Sequence, residues 1–229
     1  MGEKLIAQSA LRLLRANAGK GSREAAAALE WAADQRDWLW PHGSGTSASP
    51  VSDLDWDSLT VAVDSIETGE DETPLDEAVT MVADLLTLGQ FDRDLVHAVA
   101  TLQRTPALGQ LRAKLVSAGT DLVRLMGGLA GAPFGEAAAR VRRSQAVSLG
   151  LLSFEQEYGA SVELQLEWSF GRILDEGAAD SERVIEALAG ARQTASLEPA
   201  DFAERHAELD LLTRLLRGAL RTAAAARPQ

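Results

Sequence analysis

Few residues in this chain stand at spacings that could do chemistry. Gly19-Lys20 is the glycine–lysine pair of a phosphate-binding loop, in which backbone amides cradle a phosphate and the lysine neutralises it. The complete loop needs an earlier glycine where Leu14 stands and a hydroxyl where Gly21 follows the lysine, so an interhelical turn is expected here. Asp53, Asp55 and Asp57 alternate as at the opening of a calcium loop. That loop also requires glycine at its sixth position and a bidentate glutamate at its twelfth, and Ser58 and Asp64 occupy those places. Carboxylates there are better suited to a helix start, where backbone amides lack partners. His42, His97 and His206 have no neighbouring ligands at metal spacing. His97 falls off the apolar side marked by Leu95, Val99 and Leu102, which predicts an exposed ring. No Gly-x-Ser-x-Gly elbow is present, and no Ser/His/Asp set can be assembled. With no cysteine, thiolate zinc sites, disulfides and a catalytic thiol are excluded. The chain by itself is therefore expected to hold no catalytic residue, no cofactor and no metal.

Two groups suit binding rather than catalysis. Arg140, Arg142 and Arg143 are the one compact basic cluster. A DNA-reading module would use such a cluster together with basic residues on an adjoining hairpin, but Glu155, Glu157, Glu163 and Glu167 lie there instead and repel phosphates. Trp31, Trp38 and Trp40 have two readings: a docking surface, because tryptophan is favoured at interface hot spots, or burial in a small core. Those six residues form the candidate interaction surface.

The elements that must position them are mostly helices. Residues 1–41 read as a helical pair broken at Gly19-Lys20-Gly21, with Ser22 capping the second helix ahead of an alanine run. Residues 42–53, rich in Ser, Gly and Pro, read as a flexible linker. Residues 54–130 read as a bundle with clear punctuation. Asp55 or Asp57 starts its first helix. Thr73-Pro74 with Asp76 forms a capping box, and Gly89 stops that helix. Asp92 caps the next helix, with Phe91 and Val96 as a hydrophobic staple; Thr105-Pro106 opens another, ended by Gly119.

In residues 131–200 the period changes. A short helix over about 136–142 precedes alternating Val162, Leu164, Leu166 and Trp168, whose partner strand carries Leu152, Phe154 and Tyr158 across a turn at 157–160. A short helix before a β-hairpin is the outline of a winged-helix module. Ser181 caps a helix ending at Gly190, and residues 201–229 hold a last helix from Asp201 or Phe202 to Ala226. The fold class is thus mainly α (α+β), a helical bundle followed by a small winged-helix-like module with one β-hairpin.

The 229 residues hold 46% hydrophobic side chains, enough for a sizeable core, while only 5% are aromatic; Ala and Leu dominate, which favours helices. A formal charge of −12 opposes nucleic-acid binding through the overall field, which draws on clustered Lys and Arg. The first residues lack the apolar stretch of a signal peptide, and the longest uncharged apolar stretch, 125–135, is far short of the ~20 residues a spanning helix needs. A cytoplasmic location without membrane contact is the expectation.

Several stretches resemble the helical regions that precede the motor of bacterial AAA+ ATPases. They are the leucine run 85–88 followed by Gly89-Gln90-Phe91-Asp92-Arg93-Asp94-Leu95, then Ser148-Leu149-Gly150-Leu151-Leu152, then Ala200-Asp201-Phe202-Ala203 with the leucine-rich run 210–220. The resemblance covers about residues 54–226 and leaves 1–41 outside. It implies a non-catalytic N-terminal domain that binds a protein substrate or adaptor, or restrains the ring. ATP, magnesium and oligomerisation would then belong to a motor module absent from this chain, since no Walker A, Walker B or arginine finger is present. The alternative is a free-standing winged-helix transcriptional regulator or protein-interaction module.

Overall fold

Alanine and leucine at three- and four-residue spacing build the first helices. In the computed structural model, which describes residues 2–41, 54–69, 73–155, 162–176, 182, 184–186, 190, 208 and 210–215, α1 spans Glu3–Asn17 and buries Ile6, Ala7, Ala10, Leu11 and Leu14 on one face. The chain reverses at Gly21, whose φ of +82° is costly for residues with a Cβ. Ser22 then accepts a hydrogen bond from the Ala25 amide and starts α2, Arg23–Asp34. A single turn, α3 (Arg36–Leu39), follows.

This pair shares one core with the elements that follow. α4 (Leu59–Asp64) and α8 (Leu122–Leu129) pack on α1, and α7 (Pro106–Ala118) packs on α2. The fully buried Trp31 donates its indole N–H to the Ala107 carbonyl at 2.7 Å. Trp40 donates to the Ala62 carbonyl at 2.9 Å, and Trp38 meets Trp31 edge-on. At the rim, Lys20 and Arg15 pair with Asp57, and Arg12 pairs with Asp64. Exposed pairs of this kind add about 0–1 kcal/mol each, so apolar burial holds the pair in place.

Helix α6 (Gln90–Arg104) is the centre of the fold. It packs against α1, α5 (Pro74–Leu85), α7, α8, α10 (Gln145–Ser148) and strand β2 (Glu163–Leu166). Eight consecutive residues, Leu95 to Leu102, are consequently buried. A helix wrapped on every side has no wet face. This corrects the expectation of an exposed His97: the residue is 7% accessible.

The helix boundaries show which punctuation holds. Thr73 and Asp76 form the capping box, and Pro74 is the first helical residue of α5. Gly119, at φ +83°, ends α7 with the Thr120 amide donating back to the Leu115 carbonyl. Three expectations shift. Gly89 is the N-cap residue of α6 and does not end α5, which closes two residues before Thr87, itself left-handed at φ 53°. Asp92 does not cap α6; its Oδ1 accepts from the Ala146 amide at 2.9 Å and ties α6 to α10. Asp55 precedes α4 by a turn, accepting from the Asp57 and Ser58 amides. These bonds, led by the Ser58 amide, hold its carboxyl below the usual range. Thr105 opens α7 in an extended conformation without a side-chain cap bond.

After α8 the backbones approach closely. A Cβ on Gly127 would stand 2.8 Å from the Ala137 carbonyl oxygen and 2.9 Å from Val141 Cγ2, so glycine lets α9 (Ala137–Arg142) lie against α8. Then come α10 and an antiparallel hairpin of β1 (Leu152–Glu155) and β2, paired Leu152 with Leu166 and Phe154 with Leu164. Leu152 and Leu164 are buried against the helices. Trp168 does not continue the strand: it starts α11 (Trp168–Glu176) and is 73% exposed. The described residues are mainly helical with one two-stranded antiparallel sheet. Val184 is buried within residues 1–190, one of two compact units. In the second unit, residues 191–229, positions 210–215 are helical. The proposed linker, the hairpin turn with Tyr158, the Ser181 cap and the start of the last helix lie outside the described residues.

Candidate functional site

Two places gather polar side chains, one closed and one open. The closed one joins α5 to α6. Asp76 Oδ2 accepts from the Thr73 amide at 2.9 Å and from its hydroxyl at 2.8 Å, while Oδ1 lies against His97 Nε2. That last approach is close but does not meet hydrogen-bond geometry. On the other side of the ring, Thr101 Oγ1 stands 3.4 Å from Nδ1 and donates to the His97 carbonyl at 2.8 Å. Burial opposes the charge on Asp76 most strongly, yet the hydrogen bonds donated to it, those of Thr73 among them, outweigh burial. Its carboxyl is held well below the usual carboxylate range. Burial also pushes His97 down, only partly offset by Asp76. The pair therefore rests as carboxylate and neutral imidazole at neutral pH. Its exposure is too low for a substrate to reach the ring, so it acts as a polar tie between helices.

The open place lies between the start of α6 and α9. A groove of about 660 Å³ is lined by residues 89–92 on one side and by Glu136, Ala139, Arg140 and Arg143 on the other, with Ser144 and Gln145 at its end. Phe91 is half-buried, and the Arg140 guanidinium stacks 4.2 Å from its ring centroid. Such stacking favours a defined orientation of the cation. Arg142 and Arg143 are exposed and make no ion pair among the described residues. Gln145 Nε2 reaches the Leu86 carbonyl at 3.5 Å, one residue before Thr87. A β-branched residue at positive φ carries strain of about 1–2 kcal/mol, and Thr87 lies two residues before Gly89, where the groove lining begins.

The sequence-predicted residues thus divide. Arg140, Arg142 and Arg143 are all exposed; Arg140 and Arg143 line one groove, and Arg142 does not. Trp31 is a core residue with no accessible surface, and Trp38 and Trp40 pack half-buried against the same core. These three do not form a docking surface with the arginines. The Gly19–Gly21 stretch is a turn whose lysine pairs with Asp57. His42 and His206 lie outside the described residues. Among those described, no group of three or more His, Asp or Glu could hold a metal ion, and no helix is long and apolar enough to cross a membrane.

Sequence reasoning missed the Asp76–His97 contact. Its signal was the uncharged run Leu95–Leu102, too wide for one helix face, which marks a helix buried all round. Gln90 and Gln145, which also line the groove, gave no signal. No family model, curated protein or solved structure matches this chain.

Proposed function

We propose that this chain is a non-catalytic protein-binding domain, of the kind that precedes the motor of a bacterial AAA+ ATPase, and that its partner docks on the α9 face. The observation that carries this reading is the open arginine face. Three arginines within four residues stand exposed on a chain of net charge −12, one of them stacked on Phe91. A concave surface with an aromatic wall and a few charged groups suits recognition. The ATPase connection rests on the sequence resemblance alone. ATP and magnesium chemistry, and any ring assembly, would belong to a motor outside these residues.

The order α9, α10, β1, β2 also supports a winged-helix-like reading of this region, with DNA as the ligand. Two features count against DNA. Helix α10, ahead of the hairpin, has four residues and is about 6 Å long, too short to read several base pairs. Glu155 and Glu163 stand opposite each other on the two strands, where a wing would need cations.

Photo-cross-linking tests the docking reading. A photoreactive residue replacing Ala139 or Arg143 is expected to give discrete protein adducts in cells. The same residue replacing the exposed Val61 on α4 should give none. Identical adduct patterns at all three positions, or none at any, would overturn it. In the gene, a strand followed by Gly-x-x-x-x-Gly-Lys-Ser/Thr downstream of Gln229 is expected if the ATPase connection holds.

A further inference from the structure

The α9 groove mixes charges in a way that selects among anions. Arg140 and Arg143 line it together with Glu136 and Asp92, while Phe91 and Ala139 add apolar surface. A duplex presents one negative charge per ~1.7 Å of its axis. Laid along this groove, it would press phosphates against Glu136 and Asp92 as well as against the arginines. A polypeptide with carboxylates set apart by apolar residues avoids that repulsion. Guanidinium groups match carboxylates in bidentate geometry, and Arg140, already stacked on Phe91, loses less side-chain freedom on binding. A volume of about 660 Å³ accommodates a few side chains of such a segment.

We propose that the groove binds an acidic peptide segment of a partner protein, with a carboxylate on Arg140 and Arg143 and an apolar side chain against Phe91 and Ala139. This rests on the protein-docking reading and gives that partner its chemistry. The probe is a phage-displayed random-peptide library selected on the intact chain. Enriched peptides should carry Asp or Glu next to an aromatic or aliphatic residue. Their affinity should fall about tenfold or more, the loss of a charged contact or two, for the doubly substituted Arg140→Ala, Arg143→Ala chain. It should fall equally when their acids become amides. Both arginines are exposed, so the variant should melt with the parent, and a melting scan checks that it is folded.

Absence of enrichment, enrichment without acidic residues, or equal affinity for the variant overturns the proposal. A labelled DNA duplex that binds more tightly than the peptides and is lost in the same variant also overturns it, in favour of nucleic acid. If these arms fail while position 143 still cross-links to a discrete protein, the docking reading stands and only the acidic chemistry falls. If the cross-links fail too, both fall.

Discussion

Trp31 and Arg140 are both large side chains with a polar head on an apolar body, and they end in opposite situations. Trp31 lies fully inside the core, its indole N–H satisfied by the Ala107 carbonyl. Arg140 sits over the Phe91 ring, 4.2 Å from its centroid, in the lining of a groove. Around Trp31 the helices close on each other, and neighbouring polar heads are bound too, as with Trp40 on Ala62 and Gln8 on Val63. Around Arg140 an open space is bordered by Arg143, which makes no ion pair among the described residues, and by Phe91 and Glu136. Residue type therefore does not separate core from open surface. At these two positions the difference is that a backbone carbonyl meets the Trp31 indole inside the core, while Arg140 stays at the surface.

The largest test of that contrast removes the closed side. Cleavage between residues 41 and 54 that frees the first three helices should expose Ala107 and the Leu108 side of α7. The 51–229 fragment is expected to melt far below the intact chain in calorimetry, and a fragment melting like the parent would break the comparison. Next, Trp31→Ala should cost about 3–5 kcal/mol in denaturant unfolding, whereas Arg143→Ala should stay within about 0.5 kcal/mol. Equal effects would mean that the two sides do not differ.

Gly127→Ala tests what seats the arginine face. Its Cβ would meet a carbonyl oxygen on α9, and overpacking of this kind costs about 1–3 kcal/mol; an unchanged midpoint would mean that α9 can lift away freely. Asp76→Asn probes the polar tie, with an expected loss of about 1–3 kcal/mol at neutral pH. The pH dependence follows from both depressed pKa values. For His97 the unfolded chain takes up a proton first as pH falls, so its contribution, complete above about 6.5, is lost below that. For Asp76 the contribution is complete above about 3.9 and is lost in stronger acid. Unfolding midpoints should decline in two stages on acidification, and Asp76→Asn should flatten the lower one. The smallest effect has the opposite sign. Thr87→Gly relieves about 1–2 kcal/mol of left-handed strain and adds back unfolded-chain entropy, leaving a net gain of about 0.5 kcal/mol in the same unfolding assay.

Local chemistry was the most legible part of the fold. The Thr73–Asp76 box, the Ser22 cap and the Gly119 stop each depend on contacts within four residues or so, and each holds. The two hairpin strands follow from two-residue alternation, except at Trp168, where α11 takes over. What stayed hidden depends on neighbours far along the chain. His97 is buried because five helices and a strand surround α6, and Asp92 is drawn from its own helix start to Ala146, 54 residues away. At the candidate site, the arginines were visible as a cluster. Their separation from the tryptophans was not, because it depends on which helices cover Trp31.

The bond from Trp31 to Ala107 spans 76 residues, and this has a consequence for biosynthesis. At ~5–20 residues per second, a ribosome needs roughly 4–15 s after making the indole to make the carbonyl it binds. Two short helices do not hold together alone for that time. The nascent N-terminus must therefore wait with its apolar stripe uncovered, a natural client for a chaperone, until α7 emerges to receive it.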